Sequence, residues 1–424
     1  MMRKGYLLIL AALCSCSDKD FISLELQNES DLVLKEKPVV LYREQVGKYW
    51  REGLQPLVTD AGKDTLAAQL DDTDGDGQWD QLFFLADFQP GEKKKLTLFW
   101  TKDLPAFEKR TSVRFGVRDS LNDVVKPRVT DVFLPHELPG VNGYQPYQTD
   151  GPSWENDKVG FRHYLDGRNS KDVFGKKVSY MSPKNVGINA AGVTEDNYHV
   201  MEDWGRDILS VGTSLGVGGI SFLIGDDRLR RLGIIEGDPK GNVDSTVFTI
   251  FSEGPVRSVI HFDYRNWRPL DENRAYNLQE TVEIWPGFYG YKNTVKVAAT
   301  GGDETLLVGL VNSRTDKPLK TIYENDQWIV LGTHDKQTYE KEWWLGLALV
   351  LPKEGYLGYI KAPDTGRIAT SYLAKFTTDK PVSYYAMACW ELRDAGFREE
   401  GYFENYLKNF TEQLSANIKI IVNP

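Results

Sequence analysis

Three patterns in this sequence could do chemistry. Gly212-Thr213-Ser214-Leu215-Gly216 satisfies the serine-hydrolase pattern G-x-S-x-G, which needs a strand, a sharp turn and then a helix to present its nucleophile. Here the serine is followed by GVGGISFLI, glycines and then a β-like run, so no helix can begin and the segment reads as a glycine-rich strand or bulge. The second pattern, DDTDGDGQWDQLFF, sets Asp72, Asp74, Asp76 and Asp80 around Gly75 and Gly77 in the manner of a calcium loop. An EF-hand requires a bidentate carboxylate at its twelfth position, and counted from Asp72 that position is Phe83. What survives is a hairpin that either clips one structural calcium ion through its aspartates or is a bare Asp/Gly turn. Neither reading concerns catalysis, and no cofactor is expected to be required.

The third pattern is polar density in two neighbouring stretches, 151–177 and 196–212. They hold two of the five histidines, His163 and His199, beside Trp154, Glu155, Lys158, Arg162, Tyr164, Asp166, Arg168 and Trp204. A pair of solvated loops is the plain alternative, but so many Trp, His and Arg residues among glycines are costly if they only face water, and binding residues concentrate on loops held by a rigid scaffold. In VGFRHYL, strand alternation puts Arg162 and Tyr164 on one face and His163 on the other, which makes His163 the packed histidine.

The elements that must position these groups are strands. Ile22, Leu24 and Leu26 alternate with Ser23, Glu25 and Gln27, and similar runs follow at 39–42 and 94–100, so residues 17–105 read as a small antiparallel β-sandwich. Residues 106–424 continue in strand-sized pieces such as STVFTIFSEG, VRSVIHFDY and EWWLGLALVL, the pattern of a large antiparallel β-sandwich. Helical periodicity is convincing only from Glu399 to Ser415, where Phe403, Tyr406, Leu407 and Phe410 share a stripe.

The chain opens with Arg3 and Lys4, an apolar run from Tyr6 to Leu13, and Leu13-Cys14-Ser15-Cys16. The run is too short to span a bilayer. Residues 1–16 therefore read as a lipoprotein signal peptide with Cys16 acylated, and the expected location is a membrane-anchored lipoprotein of the periplasm or cell surface (outer membrane), held by the lipid alone. Of three cysteines, Cys16 and Cys389 would then remain, so no intramolecular disulfide forms, and Cys389 in AMACWEL reads as a buried, inert thiol. The net charge of −10 argues against a nucleic-acid partner. No P-loop, HExxH or CxxC is present, which excludes nucleotide, zinc-protease and thioredoxin chemistry.

WENDKVGFRHYLDGRNSKDVFGKK and YHVMEDWGRDILSVGTSLGVGGI, together with DDTDGDGQWDQLFF, resemble a bacterial domain-of-unknown-function family of polysaccharide-utilisation loci that includes an ulvan oligosaccharide dehydratase. The resemblance implies a supersandwich similar to galactose-mutarotase-like and polysaccharide-lyase scaffolds, with a uronic-acid-containing oligosaccharide as partner. A uronate dehydratase or β-eliminase must neutralise the carboxylate, remove the C5 proton and protonate the oxygen leaving C4. On these stretches Arg162 suits the carboxylate, Lys158 is a further cation or proton donor, and His199 is the acid or base, with Tyr164 or Tyr198 as partner. Trp154 and Trp204 would stack on sugar rings. Farther along, Arg257 and His261 share a strand face as substrate-binding candidates, and His334, in the loop GTHDKQ, is a further catalytic candidate. Two alternatives stay open: a non-catalytic surface glycan-binding protein, and a glycoside hydrolase using a carboxylate pair drawn from Glu155, Asp157, Glu202 and Asp203.

Overall fold

A computed structural model describes residues 21–134, 145–233, 243–269, 274–298 and 300–423. The signal peptide and Cys16 lie outside the described residues. The protein is mainly β, as its sequence implies.

Near the N-terminus, the strand Phe21–Asn28 buries Ile22, Leu24 and Leu26 while its odd-numbered residues face outward, as the period of two requires. It lies in a five-stranded sheet beside Lys93–Thr101, which pairs in turn with Gln55–Asp60. A three-stranded sheet of Leu34–Tyr42, Gln81–Phe88 and Ala68–Asp71 packs its Leu41, Leu82 and Phe84 into the same core. The other edge of Phe21–Asn28 is taken by the last strand, Ile418–Asn423, which the sequence alone assigns to the large sandwich. Its alternation fits either sheet; the preceding helix delivers it to this one.

The large sandwich has a nine-stranded antiparallel sheet that includes Ser245–Glu253, Ser258–Trp267, Tyr276–Ile284, Leu345–Pro352 and Val382–Trp390. Two five-stranded sheets share its core. One runs Gly205–Asp207, Lys171–Lys176, Val159–His163, Ser153–Asn156 and Thr111–Arg114; the other is built around Val217–Ile224 and Glu304–Val311. Each fully buried Leu, Ile or Phe of that core contributes about 1.5–3 kcal/mol. The C-terminal helix Glu400–Ser415 lays Phe403 and Leu407, both fully buried, on the outer face of the nine-stranded sheet. Gly346 makes this contact close, since a Cβ there would stand 2.3 Å from the Phe403 ring.

The G-x-S-x-G segment is a glycine bulge. Gly216 sits at φ +73° and Gly218 at φ +81°, and the pairing of Val217–Ile224 with Glu304–Val311 slips between Val217 and Ile220. Ser214 is fully buried; its Oγ donates to the Val211 carbonyl (2.6 Å) and accepts from the Gly216 amide (3.0 Å). Ser214→Ala is therefore expected to leave turnover unchanged and to lower stability by about 1 kcal/mol, the worth of a buried hydrogen bond; parallel denaturant melts and assays check both halves.

Candidate active site

Strand pairing puts Arg162 opposite Asp172 and Phe174 opposite Asp207. Because side chains two residues apart share a face, Arg162, Tyr164, Asp172 and Phe174 gather on one side of this sheet. The Arg162 guanidinium, 1% exposed, is the hub: its Nη2 donates to Asp172, to the Tyr164 hydroxyl and to Asp207 Oδ2 (2.7 Å). Nη1 reaches Asp150 Oδ2 at 3.4 Å. Thr149 and Asp150 both have positive φ (52° and 59°), a strained conformation for non-glycine residues that turns the chain back toward the arginine. The Tyr198 ring lies 5.0 Å from the guanidinium, and its hydroxyl is 2.9 Å from both Asp150 and Asp196.

One guanidinium faces three carboxylates, and buried like charges cannot all persist. Burial would lower the pKa of Arg162, but Tyr164, Asp172 and Asp207 outweigh it and hold the guanidinium firmly charged. Burial, then the Asp172 charge, push Asp207 up to about 8 despite Arg162. Burial also raises Asp150. Burial thus favours the protonated form of Asp207 and Asp150.

His199 stands where this network meets the surface. The short turn Asn197–His199 points Tyr198 inward, 2% exposed, and leaves the His199 side chain 48% exposed. Its Nδ1 is 3.6 Å from Asp207 Oδ2, and its ring lies 4.8 Å from Tyr198 and 6.4 Å from Tyr339. Partial burial and the Arg162 charge lower its pKa, so at neutral pH the imidazole is free to accept a proton. The arrangement is a half-exposed base backed by a buried carboxyl, the relation that general acid–base chemistry uses.

The family profile described as a domain of unknown function, DUF4861, matches residues 26–420. The chain belongs to the DUF4861 family. It is 22% identical over 426 residues to Uncharacterized protein P7 of Formosa agariphila, covering 96% of this chain and 95% of that protein. Among solved structures, a glycosyl hydrolase family 38 protein from Enterococcus faecalis superposes with a TM-score of 0.49 at 11% identity, over 96% of this chain and 48% of that one. An α-mannosidase from Enterococcus faecalis V583 gives a TM-score of 0.46 at 10% identity, over 95% and 46%. The DUF4861 chain spans about half the length of these two structures.

Several candidate residues of this DUF4861 protein lie elsewhere than their roles require. Arg162 is enclosed and committed to carboxylates of its own chain, so it cannot take a substrate carboxylate. Tyr164 is buried against Arg162, donates to Asp172 (2.8 Å) and is covered by Arg168 at 3.9 Å; it belongs to the network and does not meet His199. Trp154 and Trp204 are 1% and 4% exposed and line a cavity of about 10 Å³, room for at most one water. They are core residues, not sugar platforms. Lys158 sits in the hairpin connection before Val159–His163, with its ammonium 5.8 Å from the Tyr289 ring.

Arg257 is 1% exposed and pairs with Asp71 and Glu283. His261 stacks on Phe251 at 4.8 Å, and its Nδ1 is 3.2 Å from the Thr281 hydroxyl. Their shared face docks the aspartate hairpin, whose Gly75 also abuts Phe251; it offers no substrate surface. His334 is in the strand Trp328–Asp335, not in a loop, and its Nε2 donates to the Phe397 carbonyl (2.8 Å) between Trp344 and Phe403. It is a core histidine, with its Nδ1 buried and without a hydrogen-bond partner among the described residues. His163 is packed as its alternation implies: fully buried against Phe262, with burial forcing its pKa down to about 3. Cys389 is fully buried, and burial pushes its thiol well above the usual range.

Of the carboxylates considered for hydrolysis, Glu155 is held by Ser182 and Lys176, and Asp157 by Arg110 and the Gly287 amide. Neither is free to flank a glycosidic bond. In the aspartate hairpin, Asp72, Asp74 and Asp80 bring carboxylate oxygens within 4.8 Å of one another. Asp76 instead accepts from the Gln78 amide. Among the described residues no helix is long and apolar enough to cross a membrane.

Asp150, Asp172 and Asp207 escaped the sequence reading. The legible signal for Asp172 was a charge at an inward position of KDVFGKK, two residues before Phe174; nothing local marked Asp150 or Asp207.

Proposed function

We propose that this DUF4861 protein is a lipid-anchored, carbohydrate-active lyase-type enzyme, a dehydratase or β-eliminase that acts on uronic-acid-containing oligosaccharides. The observation that carries the reading is His199: a half-exposed imidazole whose Nδ1 lies 3.6 Å from the buried Asp207 carboxyl. The resemblance of three stretches to a family with an oligosaccharide dehydratase supplies the substrate class.

In the proposed step, ionised Asp207 faces Nδ1–H, fixing the tautomer that leaves Nε2 as the base on the far side of the ring. His199 Nε2 takes the C5 proton, whose acidity depends on the neighbouring carboxylate being neutralised. The C5–H electrons form the C4=C5 double bond as the C4–O bond breaks. The imidazolium returns the same proton to the departing oxygen, which leaves as water in a dehydratase or as a sugar hydroxyl in an eliminase. One histidine thus serves as base and then acid, and the site ends as it began.

Incubating the protein with a panel of uronate oligosaccharides tests this reading. A rise in ultraviolet absorbance from the conjugated double bond is the expected result. New reducing ends without that absorbance would identify a hydrolase instead, and binding without either product a glycan-binding protein.

A further inference from the structure

With Arg162 enclosed, an elimination site at His199 has no cation for the substrate carboxylate unless another group supplies it. We propose that Arg314 is the anion-binding residue of this site and that Tyr339 is the platform for the sugar ring that carries the anion. This rests on the assignment of chemistry to His199.

The segment Ile208–Ser210, directly after Asp207, ties both residues to the site. Its Ile208 carbonyl accepts from the Tyr339 amide (2.8 Å), and its Ser210 carbonyl accepts from the Ser313 hydroxyl (2.7 Å). The turn bearing Arg314 and the loop bearing Tyr339 are therefore fixed to the chain that carries the carboxyl behind His199. Tyr339 is 44% exposed with its ring 6.4 Å from His199, and the Arg314 guanidinium carbon lies 5.4 Å from the same ring. A partly exposed aromatic ring flanked by an imidazole and a guanidinium suits the apolar face of a sugar whose polar substituents reach to either side.

Arg314 shares the lack of a carboxylate partner among the described residues with Arg114 and Arg393, but it is the one whose guanidinium lies on Tyr339 beside His199, whereas several other packed arginines are neutralised by their own chain. Arg110 pairs with Glu36 and Asp157, Arg257 with Asp71 and Glu283, and Arg162 with three aspartates. Arg314 is half-buried, and its one hydrogen bond among the described residues is from Nη2 to the Ser210 hydroxyl at 3.3 Å. Its Nε is shielded from solvent with no acceptor. A guanidinium is always charged and offers five donors in a planar fork, so a half-buried one without a carboxylate is complemented by a two-oxygen anion from outside. A sugar carboxylate and a sulfate ester share that chemistry. In a protein of net charge −10, such a local cation also steers an anionic ligand to this edge.

Calorimetric titration of the full chain with a uronate oligosaccharide, a sulfated neutral oligosaccharide and an uncharged one tests the inference apart from turnover. Arg314→Met, first shown to melt like the parent, is expected to lose roughly tenfold to a hundredfold in affinity for the anionic ligand while binding the uncharged one as the parent does. Arg314→Lys is expected to fall between. Tyr339→Ala should weaken all ligands that the parent binds. If only the sulfated sugar responds to Arg314→Met, sulfate is the anion recognised. Arg314-dependent uronate binding without double-bond formation upholds this inference and sinks the lyase reading. Equal affinity of the parent and Arg314→Met for both anionic ligands, or failure of the parent to bind either anion, overturns it.

Discussion

His199→Ala is expected to lower turnover on a uronate oligosaccharide by roughly a hundredfold or more, the usual cost of losing a general acid or base. The expectation is at the high end because one imidazole is assigned both proton transfers. Its side chain is half-exposed and its turn is anchored by the buried Tyr198, so the melting temperature should stay close to the parent's. The pH profile separates chemistry from structure. Asp207 is raised to about 8 by burial and the Asp172 charge, and only its ionised form holds Nδ1–H and frees Nε2. Turnover should therefore rise with pH and level off above about 8, an apparent value that belongs to the coupled carboxyl cluster around Arg162 rather than to Asp207 alone. In Asp207→Asn that limb should vanish. A His199→Ala protein with full activity, or an Asp207→Asn protein with the parental profile, would remove the proposed mechanism.

The second large effect concerns stability. Arg162→Met should destabilise the fold by about 3–5 kcal/mol, since it removes the charge that compensates buried carboxylates and leaves them unpaired. The partners are Asp172 and Asp207, 1% and 2% exposed, with Asp150 close by. The sign of the pH response is diagnostic. Without Arg162, the aspartates bind protons more tightly in the folded state than in the unfolded one. Acid then favours the folded state, and the deficit should shrink as pH falls from 7 toward the unfolded aspartate value near 4. Arg162→Lys should also be damaging, because an ammonium cannot span several acceptors as the guanidinium does. Denaturant melts at several pH values read all of this, and a parental midpoint for Arg162→Met at neutral pH would show that the aspartates do not depend on it.

These two results bear on different layers of one device. Arg162 acts through Asp207 and never meets the ligand; it is a positioning residue. Its loss should reduce activity only together with stability, whereas loss of His199 should reduce activity alone.

The periodicity of the sequence determined a good deal of this protein. Alternation in Phe21–Asn28, the stripe through Phe403 and Leu407, and the glycines around Ser214 each have one physical solution, because strand and helix periods dictate which side chains share a face. The same rule paired Arg162 with Tyr164 and set His163 apart. Turn residues around His199 likewise kept it near the surface.

What the sequence could not supply is what covers a face once it is formed. Arg162 reads as a binding residue until Asp150, Asp172 and Asp207 arrive from three separate segments and enclose it. Trp154, Trp204, Arg257 and His334 are rich in chemistry by type, yet each is sealed by strands or a helix far away in the chain, and burial turns each into packing. Conversely, Arg314 and Tyr339 lie in stretches with no motif, and only their tethers to Ile208–Ser210 bring them to His199. Period and turn chemistry are local and act within a few residues; burial, charge pairing and pKa depend on contacts between segments, and those are decided only when the sheets close on one another.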